Sequence, residues 1–331
     1  MEQRPLGRTG LTASVVGVGT WQLGADWGEV SEADAREVLE TSLAAGVTFY
    51  DTADVYGDGR SERILGAFLA DHADEGLVVA TKMGRRLDQV PESYVAPNFR
   101  AWTDRSRANL GVDTLQLVQL HCPPSAVISS DAVFDALDEL VDTGAVAAYG
   151  VSVETVAQAL DAMTRTHLAS VQIILNAFRL KPLDRVLPAA DTGGVGIIAR
   201  VPLASGLLSG GYAETTTFAP DDHRTYNRDG SAFDVGETFS GVDYETGLAA
   251  ARAFSELVAT HLPAEVTPAQ AAIAWIVQQR GVSTVIPGAR NAEQARANAR
   301  AGSVGHLPDE FLDGIRQIYD EHLREAVHPR W

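Results

Sequence analysis

Four polar side chains in the N-terminal part of the chain follow apolar stretches that are typical of buried β-strands. Asp51 and Tyr56 follow one such stretch, Lys82 ends a second, and His121 ends a third. A phenol beside an ammonium, with a carboxylate to keep the ammonium charged and an imidazole nearby, can deliver a proton to a carbonyl oxygen. The ammonium is also expected to lower the pKa of the tyrosine from its ordinary value near ~10. These residues therefore predict a proton-delivery site that turns a carbonyl into an alcohol, with the hydride supplied by a nicotinamide cofactor.

Each of the four residues also has a structural interpretation. Asp51 would cap a turn, Tyr56 would pack in a loop, Lys82 would form a structural ion pair, and His121 would be a satisfied core histidine. Their joint position at three strand exits favours the functional interpretation. The lysine usage supports it, because 26 residues are basic and Lys82 and Lys181 are the only lysines among them. A compact ammonium can approach a neighbour where a planar guanidinium would not fit.

The elements that must position these residues alternate between short apolar strands and longer amphipathic helices. The strands are predicted at residues 14–20, 48–52, 77–82, 115–121, 147–152, 170–176, 195–201 and 283–287. The helices are predicted near residues 31–45, 61–72, 100–110, 130–143, 154–166, 183–190, 267–279 and 291–301. Apolar strands separated by helices indicate parallel pairing with both faces covered. The pattern favours a closed (β/α)8 TIM barrel, whose strand-end loops share one face, over a doubly wound open sheet.

Two segments lie outside this alternation. Residues 202–243, called here the covering segment, are too long for a simple connection and contain Phe218, Tyr226, Phe233 and Phe239. Loops of this length are often functional covers, and the aromatic residues favour that interpretation. An additional helix is predicted over residues 309–324. Since no linker or repeat divides the chain, residues 1–331 are expected to form a single domain.

Composition excludes several classes of protein. The formal net charge of −18 argues against broad nucleic-acid binding, which needs a basic face. No apolar run approaches the roughly 20 residues that cross a bilayer, and the N-terminus lacks the layout of a signal peptide. The single cysteine, Cys122, excludes an internal disulfide and is interpreted as a small buried thiol. We therefore expect a cytoplasmic protein without a membrane or nucleic-acid partner, whose oligomeric state the sequence leaves open.

Several segments together resemble the aldo-keto reductase superfamily, nearly from end to end. The similar segments are residues 5–14 and 17–20, residues 51–57, residues 80–82 and residues 120–123. The resemblance implies Asp51, Tyr56, Lys82 and His121 as the catalytic tetrad, with Tyr56 as the general acid in reduction. It also implies a (β/α)8 barrel with a long loop after the seventh strand, which uses NADPH/NADP+ and no bound metal.

The phosphates of such a cofactor need an anion site. A Rossmann fingerprint is absent, because Gln22 stands where its third glycine would be. The best candidate is residues 286–291 before the predicted helix 291–301, since a helix N-terminus offers free amides and Arg290 can fork a phosphate. The resemblance implies that Arg290 binds the adenosine 2′-phosphate and favours NADPH over NADH, with Gln294 and Asn298 near the adenine. An exposed surface arginine is the alternative.

The resemblance also implies contacts at the nicotinamide end. Ser152 and Gln172, with Asn176 beside them, would hold the carboxamide, although Val153 replaces the usual asparagine. Buried amides that tie down a loop are the alternative. Arg200 stands where many relatives carry an aromatic residue, and a guanidinium can also stack on a flat ring. The full set of expected cofactor contacts is Gly19, Thr20, Trp21, Ser152, Gln172, Arg200, Pro202, Leu203, Ser205, Gly206, Leu208, Gly288, Arg290, Gln294 and Asn298.

A substrate pocket is expected at the mouth of the barrel. Trp21, Trp27 and Met83 are predicted to line it, because apolar and aromatic side chains dominate small-molecule sites. Three aromatic residues after the third strand are further candidates that could equally pack loops: Tyr94, Phe99 and Trp102. The substrate is expected to be a small carbonyl compound.

Three functions fit these residues. The first is NADPH-dependent reduction of an aldehyde or ketone, reversible by nature. The second is a cofactor-sensing subunit with little turnover, since potassium-channel β subunits resemble the same family. The third is an enzyme that retains its cofactor and epimerises or eliminates. Turnover of NADPH separates the first from the other two.

Overall fold

The computed structural model describes residues 1–24, 30–220, 222–228, 230–232 and 236–331. Two short strands, β1 (Gln3–Pro5) and β2 (Thr12–Ser14), form an antiparallel hairpin. The remaining strands are parallel and neighbour one another in chain order. They are β3 (Val18–Gly19), β4 (Phe49–Asp51), β5 (Val78–Met83), β6 (Leu117–His121), β7 (Tyr149–Ser152), β8 (Ser170–Ile174), β9 (Gly196–Arg200) and β10 (Val282–Val285).

Hydrogen bonds between the first and last of these eight strands close the sheet into a barrel. The amide of Gly17 donates to the Val285 carbonyl at 2.8 Å, and the amide of Gly19 donates to the Pro287 carbonyl at 3.1 Å. The predicted (β/α)8 barrel is therefore confirmed, and the open sheet is excluded. The carboxyl ends of β4, β5 and β6 meet at one face, because parallel strands share their direction.

The β1–β2 hairpin was not predicted and packs against the other end of the barrel. Leu6 is fully buried in one apolar cluster with Phe49, Leu117 and Ile198, which the barrel strands carry. Gly7, at φ 54°, makes this close approach possible. A Cβ on Gly7 would lie 2.1 Å from the Ala169 carbonyl oxygen, so a larger residue would not fit.

Helices surround the barrel. They are α1 (Glu32–Ala44), α2 (Arg60–Asp71), α3 (Ala96–Leu110), α4 (Ser125–Ile128), α5 (Asp131–Asp142), α6 (Val156–Ala162), α7 (Pro182–Gly193), α8 (His223–Tyr226), α9 (Tyr244–His261), α10 (Pro268–Val277), α11 (Ala292–Arg300), α12 (Asp309–His322) and α13 (Arg324–Val327). A larger apolar cluster fills the layer between strands and helices. The predicted C-terminal helix corresponds to α12. The longest helix, α9, was missed, and it packs against α12 with the rings of Phe254 and Phe311 6.0 Å apart.

The described part of the covering segment folds over the barrel mouth. Its turn at Ala204–Ser209 follows β9 directly, and α8 lies further along. Aromatic rings hold it together, with ring centroids of Tyr212 and Phe218 5.2 Å apart and those of Phe239 and Tyr244 also 5.2 Å apart. Phe233 lies outside the described residues. The segment is therefore a packed layer of side chains above the strand ends.

Candidate active site

The ends of β4 and β5 place a carboxylate and an ammonium in direct contact. The Lys82 ammonium forms an ion pair with Asp51, and the exposed fractions of the two side chains are 2% and 3%. The same ammonium donates to the Thr52 carbonyl at 2.9 Å and to the Tyr56 hydroxyl at 3.4 Å. Burial lowers the pKa of Lys82, but the charges of Asp51 and Tyr56 outweigh it and raise that pKa. Lys82 is therefore a fixed positive charge beside the phenol.

Two amides from neighbouring strands complete the surroundings of Asp51. Gln119 on β6 and Gln172 on β8 donate to its second carboxylate oxygen at 3.0 Å and 2.8 Å. The side-chain oxygen of Gln172 also accepts from the Ser152 hydroxyl at 3.4 Å. Hydrogen bonds of this kind fix the orientation of a carboxylate without neutralising it. Gln172, expected to hold the carboxamide, is thus also part of the network that orients Asp51.

Tyr56 differs from the expectation in one respect. Burial raises its pKa more than the nearby Lys82 ammonium lowers it, so the pKa lies above the ordinary value. The prediction of a lowered pKa is wrong for this structure, because removal from water penalises the phenolate more strongly than one ammonium can offset. The ring of Tyr56 lies between those of Trp21, with centroids 6.1 Å apart, and His121, with centroids 5.9 Å apart. Tyr56 therefore holds its proton firmly within an aromatic wall.

His121 ends β6 and has a neutral ring. Burial lowers its pKa well below the ordinary value, and the positive charges of Arg85, Lys82 and Arg200 lower it further. Its Nδ1 atom is buried and has no hydrogen-bond partner among the described residues. A neutral imidazole retains one N–H, which can serve as a donor in a cavity. The ring is thus available to a ligand rather than tied into the protein.

Tyr56 and His121 open onto a cavity of about 590 Å³ at the barrel mouth. Most of the expected cofactor contacts line it: Gly19, Thr20, Trp21, Ser152, Gln172, Arg200, Pro202, Leu203, Ser205, Gly206, Gly288, Arg290, Gln294 and Asn298. Asp51 also reaches the cavity wall. The strand ends of the barrel and the covering segment thus enclose one continuous space.

The far side of the cavity has the features of a phosphate site. Asn291 caps α11 by accepting from the Gln294 amide at 2.9 Å, and the Arg290 amide donates to the Gln294 side chain at 2.9 Å. Asn298 donates to the Gly288 carbonyl at 3.1 Å. The Arg290 side chain is 41% exposed, and one of its guanidinium nitrogens lies 3.8 Å from a carboxylate oxygen of Asp222. A helix N-terminus beside an accessible arginine suits a phosphate group.

Arg200 ends β9 and lines the same cavity. It forms an ion pair with Glu237 of the covering segment. Its guanidinium also donates to the Val153 carbonyl at 3.3 Å and approaches the Cys122 sulfur at 3.7 Å. The two departures from the usual family pattern, Val153 and Arg200, are therefore direct neighbours.

Two residues that were expected at the site, Met83 and Leu208, do not line the cavity. Met83 follows Lys82 on β5, so its side chain points to the opposite face, where Thr103 of α3 contacts its sulfur at 3.9 Å. It is a core residue, not a pocket residue. Leu208 is fully buried, and its amide, the group expected to contact the cofactor, donates to the Leu203 carbonyl at 3.1 Å. Trp27 lies outside the described residues.

Other candidates also serve structure rather than the site. Phe99 and Trp102 of α3 pack with each other and with Tyr94, with ring centroids 5.8–6.3 Å apart. Asn176 donates to the Val201 carbonyl at 2.8 Å and accepts from the Phe178 amide at 2.8 Å. Asn176 therefore ties down a loop, as the structural interpretation proposed.

Sequence reasoning missed several side chains that line the cavity. They are Cys122, Tyr212, His223, Arg224 and Glu237. His223 lies beside Trp21, with ring centroids 5.6 Å apart, and burial lowers its pKa to about 4. Cys122, interpreted from the sequence as a buried thiol, is half-buried. An acid or histidine in a long loop carries no periodic signal, so only the fold could place these residues.

Asp51, Lys82 and Tyr56 thus lie in contact with one another, with His121 beside Tyr56, at the mouth of a closed barrel of eight parallel strands. The sequence model of the aldo/keto reductase family matches residues 15–320. The chain therefore belongs to the aldo/keto reductase family, and it is an oxidoreductase. No helix among the described residues is long and apolar enough to cross a membrane.

Curated relatives and solved structures agree with this assignment. An uncharacterized oxidoreductase of Mycobacterium tuberculosis is 32% identical over 303 residues, covering 88% of this chain and 85% of the relative. A probable voltage-gated potassium channel subunit beta of rice is 30% identical over 337 residues, with 96% of both chains covered. The structure of a glycerol dehydrogenase from Gluconobacter oxydans matches with a TM-score of 0.79 at 26% identity, covering 99% and 98% of the two chains. An aldo-keto reductase from Klebsiella pneumoniae, solved with NADPH, matches with a TM-score of 0.70 at 20% identity, covering 96% and 95%.

Proposed function

We propose that this protein is an NADPH-dependent carbonyl reductase in which Tyr56 delivers the proton. The observation that carries the proposal is the Lys82 ammonium, which bridges the Asp51 carboxylate and the Tyr56 hydroxyl at the wall of the cavity. Buried ionisable groups in mutual contact inside a cleft are typical of catalytic sites. The family assignment supports the same chemistry.

The cofactor, when bound, supplies a hydride to the carbonyl carbon. The Arg290 side chain and the N-terminus of α11 would hold the adenosine 2′-phosphate, with Gln294 and Asn298 alongside. The nicotinamide end of the cofactor would lie next to Ser152, Gln172 and Arg200. The described residues contain no group of three or more His, Cys, Asp or Glu that could hold a metal ion, and the proposed chemistry needs none.

Each tetrad residue has a distinct role in the proposed reaction. Tyr56 donates its hydroxyl proton to the carbonyl oxygen as negative charge develops there. Lys82 stabilises the phenolate that remains, and Asp51 keeps the ammonium in place. The neutral His121 donates a hydrogen bond to the same oxygen and orients the substrate. The raised pKa of Tyr56 keeps this acid protonated at neutral pH until charge develops on the substrate.

The test is oxidation of NADPH with a panel of small aldehydes and ketones, run on wild type and Tyr56→Phe. We expect turnover in the wild type and a loss of about 10²–10⁴-fold in kcat/KM in the variant, with the Kd for NADPH unchanged. Turnover that survives the substitution would exclude Tyr56 as the proton donor. The reverse assay, with small alcohols and NADP+, belongs in the same panel, because a structural neighbour is named a glycerol dehydrogenase.

The alternative is a cofactor-sensing subunit with little turnover. The similarity to a probable potassium channel subunit of rice favours this second candidate. The complete tetrad favours the reductase, since a sensor has no need of a positioned acid. Tight NADPH binding with no turnover on any carbonyl would support the sensor. Product formation without net consumption of NADPH would instead support epimerisation or elimination.

A further inference from the structure

Arg200 and Glu237 form a second buried ion pair in the cavity wall, separate from the pair of Asp51 and Lys82. Arg200 is 8% exposed and Glu237 is 9% exposed, and both line the cavity. Two charges so poorly hydrated need each other, because an unpaired charge in this position would be strongly disfavoured. Arg200 belongs to the barrel, whereas Glu237 belongs to the covering segment.

The main chain around Glu237 is fixed by the turn that follows β9. The Ser205 hydroxyl donates to the Glu237 carbonyl at 2.6 Å, and the hydroxyl oxygen of Ser205 accepts from the Phe239 amide at 3.2 Å. Ser205 has a φ of 56°, a conformation that non-glycine residues adopt rarely and that surrounding contacts must maintain. Two contacts therefore fix Glu237 beside Arg200: the hydrogen bond to its main-chain carbonyl and the ion pair of its carboxylate.

The guanidinium is held from other directions as well. It donates to the Val153 carbonyl at 3.3 Å and contacts the Cys122 sulfur at 3.7 Å. Cys122 directly follows His121, so the guanidinium lies close to the catalytic end of the cavity. The positive charge of Arg200 is among the causes that lower the pKa of His121. This charge therefore acts on the space where the carbonyl and the nicotinamide would meet.

The two redox forms of the cofactor differ in charge at the ring. The nicotinamide ring of NADP+ carries a positive charge, whereas the ring of NADPH is neutral. A guanidinium beside the ring disfavours the oxidised form, and a carboxylate paired with that guanidinium offsets the effect. An aromatic residue in place of Arg200 would not discriminate by charge in this way. The balance between Arg200 and Glu237 therefore adjusts the relative affinity for the two forms.

We propose that Glu237 is a positioning residue that holds and partly neutralises Arg200, and thereby sets the preference of the site for reduced over oxidised cofactor. This inference rests on the proposed function, because it requires the nicotinamide to bind beside Arg200. It assigns a role to the covering segment beyond covering the cofactor. It also gives a physical consequence to the replacement of the usual aromatic residue.

The test compares the Kd values for NADP+ and NADPH, measured by titration calorimetry on wild type, Glu237→Gln, Glu237→Asp and Arg200→Met. Glu237→Gln removes the offsetting charge and should raise the ratio of Kd(NADP+) to Kd(NADPH) by about tenfold. Arg200→Met should lower the ratio by about tenfold. Glu237→Asp retains the charge and should stay close to wild type. A ratio unchanged in both Glu237→Gln and Arg200→Met would overturn the inference.

Adenosine 2′,5′-bisphosphate, which lacks the nicotinamide, serves as the control ligand. Its Kd should be the same in all four proteins, because its phosphates would contact Arg290 and not Arg200. An equal loss of affinity for this ligand and for both cofactors would show a general disruption of the site and overturn the inference. Failure of the wild type to bind this ligand or NADPH would instead overturn the proposed function itself.

Discussion

Two regions of the cavity wall hold their charges in different ways. One is the end that carries Asp51, Tyr56, Lys82 and His121, called here the catalytic end. The other is formed by the covering segment and the residues that it contacts, called here the covering side. At the catalytic end, Asp51 and Lys82 come from adjacent strands of the closed barrel, and their contact is fixed by the register of those strands. On the covering side, Glu237 comes from a loop and meets Arg200 of β9. The first pair therefore depends on the barrel alone, whereas the second depends on how the covering segment folds back onto it.

This difference separates the two tasks that an oxidoreductase of this family must perform. Proton delivery needs atoms held within a few tenths of an ångström, which a closed barrel provides. Cofactor exchange needs a wall that can open, and a loop attached through ion pairs and a few hydrogen bonds can do so more readily than a strand. Asp222 of the covering segment, 3.8 Å from Arg290, places a second such contact at the phosphate end.

The largest effect is expected from breaking the pair at the catalytic end. Lys82→Met leaves the buried Asp51 carboxylate without its counter-ion, which should cost about 3–5 kcal/mol of unfolding free energy. It also removes the charge that stabilises the phenolate, so kcat/KM should fall by about 10²–10⁴-fold. Denaturant unfolding and NADPH oxidation measure the two effects.

Lys181→Met is the matched control, because Lys181 is the other lysine of the chain and does not line the cavity. It should change the unfolding free energy by at most about 0.5 kcal/mol. The double variant Lys82→Met/Asp51→Asn should recover part of the stability and none of the activity. Full activity in Lys82→Met would mean that the strand-end pair is structural only.

Much of the catalytic end could be predicted from the sequence, because its residues stand at the ends of apolar strands. Lys82 illustrates both the strength and the limit of that reasoning. Its position at the exit of β5 was correct, but the adjacent Met83 was assigned to the same pocket. Successive side chains of a strand point to opposite faces, and Met83 accordingly packs against α3. The alternation of side chains along a strand is enough to exclude Met83 from the pocket without a structure.

The covering side could be predicted only in part. The length and aromatic content of residues 202–243 indicated a cover, and the helix entry at Arg290 indicated an anion site. Glu237 could not be predicted, because its partner Arg200 lies 37 positions away and Glu237 itself belongs to no periodic pattern. The helix α9 was missed, although Asp243 caps its first turn and its buried residues Leu248, Ala251, Phe254 and Val258 recur at helical spacing. Contacts between a loop and a barrel depend on the complete fold.

A smaller effect is expected at Asp54, the exception to charge pairing at the catalytic end. Asp54 is fully buried, and neither carboxylate oxygen has a hydrogen-bond partner among the described residues. Burial, followed by the charge of Glu62, raises its pKa from 3.8 to about 7, although Arg86 and Arg105 oppose the shift. The folded protein therefore binds this proton more tightly than the unfolded chain does. Stability should be greatest below about pH 4 for this group and should fall as the pH rises towards 7.

Asp54→Asn tests this expectation through the pH dependence of unfolding. At pH 3 the variant and the wild type should have similar unfolding free energies, because Asp54 is then largely protonated in both the folded and the unfolded chain. At pH 8 the variant should be more stable by roughly 2–4 kcal/mol, since it carries no buried charge. Asp58→Asn, an exposed carboxylate on the same loop, should show no such gain at pH 8. A constant difference between wild type and Asp54→Asn from pH 3 to 8 would contradict a raised pKa.

The smallest effect is expected at the phosphate end of the covering side. Arg290→Met removes one exposed guanidinium, and the amides at the N-terminus of α11 remain, so the Kd for NADPH should rise only about tenfold. The Kd for NADH should not change, because NADH has no 2′-phosphate. Asp222→Asn removes the carboxylate near Arg290 and should shift the NADPH affinity in the opposite direction, by a few-fold at most. If Arg290→Met weakens NADH and NADPH equally, Arg290 does not read the 2′-phosphate, and the covering side would bind the cofactor through the shared pyrophosphate alone.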